Sequence, residues 1–183
     1  MIHKILPTIV EELNAYISRV YGFHATEKKV LLGNLIDQNG RPNGQGMDKV
    51  ICSLVNIQKE QSIQNIGRMP SPSPPHLNIS VLFAANFNDY ITGLKLISGI
   101  LAYFEGKPVF TDQNTPGLPL NTQKVTAEMV NLNTEELSDL WSVLGGKYLP
   151  GILYQFRFSY SSDELTLEEL PQVVTLVSPP VNG

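Results

Sequence analysis

The first part of the chain shows one helical hydrophobic pattern followed by two strand patterns. Hydrophobic residues recur at three- and four-residue spacing over residues 2–20, which predicts an amphipathic helix that lays one face on a sheet. Gly22 follows and is expected to end this helix. Residues 30–36 and 49–59 predict strands. Residues 37–46 contain two Asn-Gly pairs and a proline, which favours a hairpin tip between these two strands.

A clear alternation marks the next strand. Large hydrophobic residues alternate with residues that are mostly smaller or more polar, as expected of a strand with one buried face. The predicted core face consists of Leu77, Ile79, Val81, Phe83, Ala85 and Phe87. A helix follows, capped by Asn86 or Asn88 and ended by Gly106. Its predicted buried face consists of Tyr90, Ile91, Leu94, Ile97, Ile100, Leu101 and Phe104. Residues 61–75, which end in a proline-rich run, predict a stiff connector before the strand.

The remaining pattern predicts one more helix between two strands. Residues 125–132 and 154–160 predict the strands, and residues 107–123 predict a loop with a short extended piece. Between the strands, Asn133 and Glu136 have the spacing of a capping box. The helix then carries a hydrophobic stripe of Leu137, Leu140, Trp141 and Leu144 and stops at Gly145. The composition shifts after residue 160, so we predict one domain over residues 1–160 and an arm or tail over 161–183.

Charge is scarce and scattered along the chain. Charged residues make up 16% of the 183 residues, and the formal net charge is -4. A nucleic-acid-binding surface needs clustered Lys and Arg, so we expect no nucleic-acid partner. A surface with little charge repels its own copies weakly, which suits a subunit that packs against others. No apolar run approaches the ~20 residues that span a bilayer, and no secretory signal is visible, so we expect no membrane insertion and folding in the cytoplasm.

The residues that usually carry chemistry are dispersed. The histidines fall in separate elements, without Cys or carboxylates at metal-ligand spacing: His3, His24 and His76. Lys147 and Tyr148 follow a helix stop, where packing and capping explain them better than a catalytic couple. Cys52 lies in an apolar run and is expected in the core. We therefore predict a protein that is not an enzyme and uses no cofactor or metal.

Four blocks of the sequence resemble one known family. They are residues 11–14, 77–87, 106–111 and 126–154, and the last block contains the run Leu-Trp-Ser-Val-Leu-Gly-Gly-Lys-Tyr-Leu-Pro. The chain is similar to the N-terminal domain of the cap, or tube-terminator, proteins of extracellular contractile injection systems. These are phage-tail-like particles of the antifeeding-prophage and Photorhabdus virulence cassette type. With the element order, the resemblance implies an α+β fold like that of phage tail terminators: a mixed, mainly antiparallel sheet flanked by three helices.

The resemblance also implies a structural role. Family members are hexameric rings that close the distal end of the inner tube and the sheath. We therefore expect a homohexamer that binds the inner-tube protein and the sheath protein and stops their elongation. It would assemble in the cytoplasm and then remain part of the particle, whether released or attached to a membrane. Two alternatives stay open: another tail-completion or baseplate component, and a monomeric binding domain.

Flexible segments are where such a subunit is expected to meet its partners. Two segments, residues 37–48 and 107–123, are rich in residues that form turns and loops. The third, residues 165–177, lies in the predicted arm and contains an apolar stretch. The candidate assembly-contact residues in them are Asp37, Asn39, Arg41, Asn43, Asp48, Lys107, Asp112, Asn114, Leu165, Leu167, Val173 and Leu176.

Overall fold

The structure is a computed structural model that describes residues 1–24, 26–60, 76–119, 122–145 and 147–160. In this part of the chain, three α-helices and six strands follow one another, with a short 3-10 helix at Gly44–Gly46. In chain order they are α1 (Ile2–Tyr21), β1 (Val30–Leu32), β2 (Lys49–Lys59), β3 (His76–Asn86), α2 (Tyr90–Gly106), β4 (Val109–Phe110), β5 (Thr122–Val130), α3 (Thr134–Leu144) and β6 (Gly151–Tyr160).

The strands form a single sheet in the order β1-β2-β3-β6-β5-β4. The β1–β2 pair is parallel, and every other neighbouring pair is antiparallel. The predicted α+β class, with a mixed and mainly antiparallel sheet flanked by three helices, is confirmed. The predicted boundaries of β2 agree with the structure at both ends, because its hydrophobic run is bounded by polar residues and turn formers.

Two hydrophobic cores lie on opposite faces of the sheet. The larger core joins α1 and α2 to the sheet, and Phe104 packs at its centre against the rings of Tyr154 (4.5 Å), Phe83 (5.6 Å) and Phe156 (5.6 Å). The predicted core face of β3 points into it. The second core lies under α3, where Trp141 covers a set of buried residues on the other face: Leu35, Ile51, Leu82 and Ala84. Both faces of β3 are therefore buried along its middle.

The hairpin predicted between β1 and β2 is wrong. The two strands are parallel, so residues 33–48 must return the chain to the same end of the sheet instead of reversing it. The Asn-Gly turn does form, but within this connection. The N–H of Asp37 donates to the carbonyl of Arg41 (2.7 Å), and Ile36 and Pro42 form an isolated antiparallel bridge. Turn residues specify a reversal locally and do not specify which strands it joins.

The predicted start and buried face of α2 need correction. Asp89 caps the helix, accepting from the N–H groups of Ile91 and Thr92 (both 3.2 Å), and neither Asn86 nor Asn88 does so. Tyr90, Ile91 and Leu94 are exposed. The residues that are buried instead include Gly93, Leu96, Gly99 and Tyr103. This helix is hydrophobic on nearly all sides, so its periodicity could not select the face that meets the sheet.

The helix ends predicted from capping residues are confirmed. Gly22 follows α1 with a φ of 72°, and Gly145 follows α3 with a φ of 65°, in the left-handed region that glycine adopts readily. The capping box of α3 is complete: Asn133 Oδ1 accepts from the N–H of Glu136, and the Glu136 carboxylate accepts from the N–H of Asn133 (both 2.9 Å).

Two predicted segments lie outside the described residues. They are the connector over residues 61–75 and the C-terminal arm over residues 161–183, with its candidate contacts Leu165, Leu167, Val173 and Leu176. The boundary between a domain and an arm at residue 160 remains a prediction.

Candidate assembly surfaces

The turn over residues 37–41 is held by one carboxylate. Asp37 Oδ1 accepts from the backbone N–H groups of Asn39 and Arg41 (both 2.8 Å), and the N–H of Gly40 donates to the carbonyl of Asp37 (3.1 Å). Asp37 therefore stabilises the turn from within. The side chains of Asn39 and Arg41 are exposed at its tip. All three candidate contacts are exposed, but the carboxylate of Asp37 is bound to the backbone of the turn.

The rest of this loop is tied to the start of the β3–α2 turn. Asn43 caps the short 3-10 helix and donates from Nδ2 to the carbonyl of Asn34 (3.0 Å). Asp48 has a φ of 53°, and its Oδ1 accepts from the N–H of Asn88 (3.2 Å). Asn86 Nδ2 donates to the carbonyl of Gly46 (3.0 Å). Asn43 and Asp48 thus fix the shape of the loop and its position beside β3.

The second predicted loop is anchored to α1. The Lys107 ammonium forms an ion pair with the Glu12 carboxylate and donates to the carbonyl of Asn114 (2.7 Å). Burial, followed by the charge of Glu12, raises the pKa of the nearby Tyr103 hydroxyl. Thr8 Oγ1 adds a contact to the carbonyl of Gly117 (3.3 Å). Lys107 therefore stabilises the loop against the helix.

Asn114 closes the same loop on itself. Its Oδ1 accepts from the N–H of Thr111 (2.9 Å), and its Nδ2 donates to the carbonyl of Val109 (2.9 Å). Asp112 follows Thr111 in the chain and has an exposed side chain. The two predicted loops therefore rest on different elements, the first beside the β3–α2 turn and the second on α1. In the second loop, Asp112 and Asn114 are both exposed, but the side chain of Asn114 is bound to the backbone of the loop.

An exposed hydrophobic patch lies next to the first loop and was not predicted. Tyr90 and Ile91 are 59% and 69% exposed on the first turn of α2, and Leu94 is exposed one turn later. Met47 is also exposed, and it precedes Asp48, which binds the N–H of Asn88 just before this helix. We call these four residues the α2 patch. Contiguous exposed hydrophobic groups commonly mark an interaction surface.

The described residues offer little for catalysis. No cluster of three or more His, Cys, Asp or Glu side chains among them is arranged to hold a metal ion. Cys52 is fully buried, as predicted, and burial raises the pKa of its thiol. Tyr148 is exposed and packs edge-on against Trp141 at 5.6 Å between ring centroids, which agrees with the packing role expected of it. None of the described helices combines the length and hydrophobicity required to cross a membrane.

Comparison with known families assigns the chain to one of them. The model of the Pvc16 N-terminal domain matches residues 4–174. This chain belongs to the Pvc16 N-terminal domain family. The resemblance found in the four sequence blocks is thereby confirmed. In this Pvc16 N-terminal domain, the family match also continues past the end of β6 and takes in residues 161–174.

Two solved structures share the fold of this Pvc16 N-terminal domain. One is the sheath/tube terminator of the extracellular contractile injection system PVC in its extended state, with a TM-score of 0.54 and 13% identity. The other is the tube-terminating cap of the anti-feeding prophage, with a TM-score of 0.50 and 14% identity. The alignments cover 100% and 96% of this chain but only 64% and 60% of those proteins. At such identities the likeness shows the fold alone. No curated protein sequence matches the chain.

Proposed function

We propose that this Pvc16 N-terminal domain is a cap component of a phage-tail-like contractile injection particle. The observation that carries the proposal is the family match over residues 4–174. The fold shared with two terminator structures supports it. In this role the protein acts as a structural subunit that ends the inner tube and the sheath and stops their elongation. It assembles in the cytoplasm and then stays with the particle.

The mechanism is one of surface complementarity without a chemical reaction. A ring built by repeating one head-to-tail contact closes when the rotation per subunit divides a full turn, and we propose a homohexamer. One face of this ring matches the inner-tube protein and the sheath protein. Elongation stops because the opposite face offers no equivalent match for a further subunit.

We place the contacts at the exposed groups of the two loops and at the α2 patch. Asn39, Arg41 and Asp112 have exposed side chains. Asp37, Asp48 and Asn114 are exposed as well, but their side chains, like those of Asn43 and Lys107, form hydrogen bonds that support the shape of the loops. The α2 patch supplies the hydrophobic component that a stable interface needs at its centre. The first loop and the α2 patch are therefore complementary in kind, with polar groups beside a hydrophobic surface.

Mass measurement of the full chain by light scattering, with negative-stain images, tests the proposal. We expect a closed ring with the mass of a hexamer, either alone or after addition of the inner-tube protein of the same particle. A strict monomer that also fails to bind preformed tubes would overturn the cap role. A labelled protein found at the baseplate end of the particle would instead identify another tail component.

A further inference from the structure

The first loop, residues 37–48, contains two chemically labile asparagines that the structure restrains to different degrees. Asn39 precedes Gly40, and Asn43 precedes Gly44. In an Asn-Gly pair the backbone nitrogen of glycine can attack the side-chain amide carbon of asparagine, because glycine has no side chain to hinder the approach. The two pairs share the same reacting groups, so the restraints on each pair decide which of them reacts faster in the folded protein.

Asn39 lies in surroundings that leave room for this reaction. Its side chain is exposed at the tip of the turn, and Gly40 is exposed beside it with a φ of 72°. A Cβ atom added at Gly40 would meet nothing within 4 Å, so the space beside this residue is open. The N–H of Gly40 donates to the carbonyl of Asp37 (3.1 Å), and this bond must open before the nitrogen can attack.

Asn43 is held at both ends of its side-chain amide. Its Oδ1 accepts from the N–H of Gln45 (3.1 Å), and its Nδ2 donates to the carbonyl of Asn34 (3.0 Å). These bonds fix the side chain as the cap of the short 3-10 helix at Gly44–Gly46. Both must break before the amide carbon can turn towards the nitrogen of Gly44. The structure therefore protects Asn43 more strongly than Asn39.

The reaction at Asn39 needs water as its only co-reactant. The nitrogen of Gly40 forms a bond to Asn39 Cγ, and the side-chain nitrogen leaves as ammonia with the proton that Gly40 gives up. The product of this step is a cyclic imide, which water opens at one of its two carbonyls. Opening at the side-chain carbonyl gives aspartate, and opening at the backbone carbonyl gives isoaspartate. Either product adds one negative charge to the chain.

An isoaspartate at residue 39 is incompatible with the turn as it stands. Its backbone is one carbon atom longer than that of an ordinary residue, so residues 37 and 41 cannot keep their present spacing. Two hydrogen bonds depend on that spacing: the N–H of Asp37 donates to the carbonyl of Arg41 (2.7 Å), and the N–H of Arg41 donates to Asp37 Oδ1 (2.8 Å). The new carboxylate also lies near that of Asp37, and like charges repel each other.

We propose that Asn39 and Gly40 form a self-modifying site. In the folded protein Asn39 converts to isoaspartate and aspartate, and the isoaspartate product opens the turn over residues 37–41. The conversion replaces a neutral side chain at the tip of the first loop with an acidic one. This inference concerns the chemistry of the chain itself and does not depend on the proposed cap function.

Mass spectrometry of the full chain after prolonged incubation at mildly alkaline pH tests the proposal. We expect Asn39 to convert about five- to tenfold faster than Asn43, because two hydrogen bonds must break at Asn43 and one at Gly40. Fragmentation of the peptide over residues 30–49 assigns each conversion, and enzymatic methylation identifies isoaspartate. The Asn-Gly pair at residues 182–183 lies outside the described residues and in a different peptide.

The same incubation in denaturant is the matched control, because unfolding removes the restraints from both asparagines. The two rates should then become similar. Equal rates in the folded chain, or faster conversion at Asn43, would overturn the proposal. The same ratio of rates with and without denaturant would also overturn it, because the sequence and not the structure would then set the difference.

Hydrogen exchange measures the opening of the turn. We expect the amides of Asp37 and Arg41 to exchange about tenfold faster in the incubated chain than in the fresh chain. Asn39→Gln keeps a neutral amide but would have to close a larger and less favourable ring, so its exchange should not change on incubation. Unchanged exchange in a chain whose Asn39 has become isoaspartate, or an equal increase in Asn39→Gln, would contradict the proposed opening.

Discussion

At the residue scale, Asn14 replaces a neighbouring strand at the edge of the sheet. Its Nδ2 donates to the carbonyls of Val10 (3.0 Å) and Val30 (2.9 Å), and its Oδ1 accepts from the N–H of Val30 (2.9 Å). Val30 lies in β1, which pairs with β2 on its other side. Asn14 is a buried polar residue in phase with Val10 and Ile17 on the hydrophobic face of α1. That position was the sequence signal for a hydrogen-bonding role, because buried polar groups need partners.

We predict that Asn14→Ala lowers the free energy of unfolding by about 2–4 kcal/mol, because it leaves the buried N–H and carbonyl of Val30 without partners. Chemical denaturation of the purified variant measures the change. Asn39→Ala, at an exposed loop tip, is the control and should change stability by less than about 0.5 kcal/mol. A loss below about 1 kcal/mol for Asn14→Ala would mean that water or another group satisfies Val30.

Gly151 is required by a close backbone approach between β6 and β3. A Cβ atom at this position would lie 2.7 Å from the carbonyl oxygen of Phe83 and 3.3 Å from the Cα of Ala84. Both are backbone atoms, so they cannot move aside by a change of rotamer. We predict that Gly151→Ala lowers the free energy of unfolding by about 1–3 kcal/mol.

The control for this substitution is Gly44→Ala, because a Cβ there would meet nothing within 4 Å. Thermal denaturation of the two variants provides the comparison. Equal melting temperatures for both would show that the strands separate at little cost, contrary to the packing described.

At the element scale, α2 shows how capping and burial are decided separately. Asp89 caps the helix, and its pKa is lowered, chiefly by the hydrogen bond from the Thr92 side chain, with further contributions from the N–H groups of Ile91 and Thr92. A carboxyl whose pKa is lower in the folded state stabilises the fold above its ordinary pKa of 3.8. This contribution is lost as the pH falls through the lowered folded-state pKa.

We predict that Asp89→Asn, which retains a capping oxygen but no charge, is less stable than the unmodified chain at neutral pH. The difference should shrink as the pH falls below 3.8, because the unmodified carboxylate is then protonated. Denaturant titrations across this pH range measure it, and Asp112→Asn controls for the loss of one surface charge. A difference that stays constant with pH would assign the effect to cap geometry and not to the charge of Asp89.

At the scale of the whole molecule, the α2 patch is the main exposed hydrophobic feature beside the first loop. It lies at the start of α2. The first loop is held beside it by the hydrogen bond from the N–H of Asn88 to Asp48 Oδ1. Exposing hydrophobic surface to water is unfavourable in free energy, and such surface is commonly buried when subunits assemble. In the proposed cap function, the patch is an assembly contact and contributes little to the stability of the protomer.

We predict that Ile91→Lys weakens assembly at least about tenfold while the melting temperature of the protomer stays within a few degrees, because Ile91 is already 69% exposed. Light scattering over a concentration series measures assembly. Val143→Lys, a change at an exposed hydrophobic residue on α3, is the matched control. Unchanged assembly of Ile91→Lys would remove the α2 patch from the interface without affecting the other proposed contacts.

The sequence by itself determined the kinds of element and much of their order. Helical spacing, strict alternation and capping residues are local signals, so α1, β2, β3 and α3 follow from residues near one another in the chain. The tertiary structure alone decided the parallel pairing of β1, the exposed start of α2 and the loop residues that are held by internal bonds. Each of these depends on contacts between distant residues, such as Asp48 with Asn88 or Lys107 with Glu12, which no local pattern encodes.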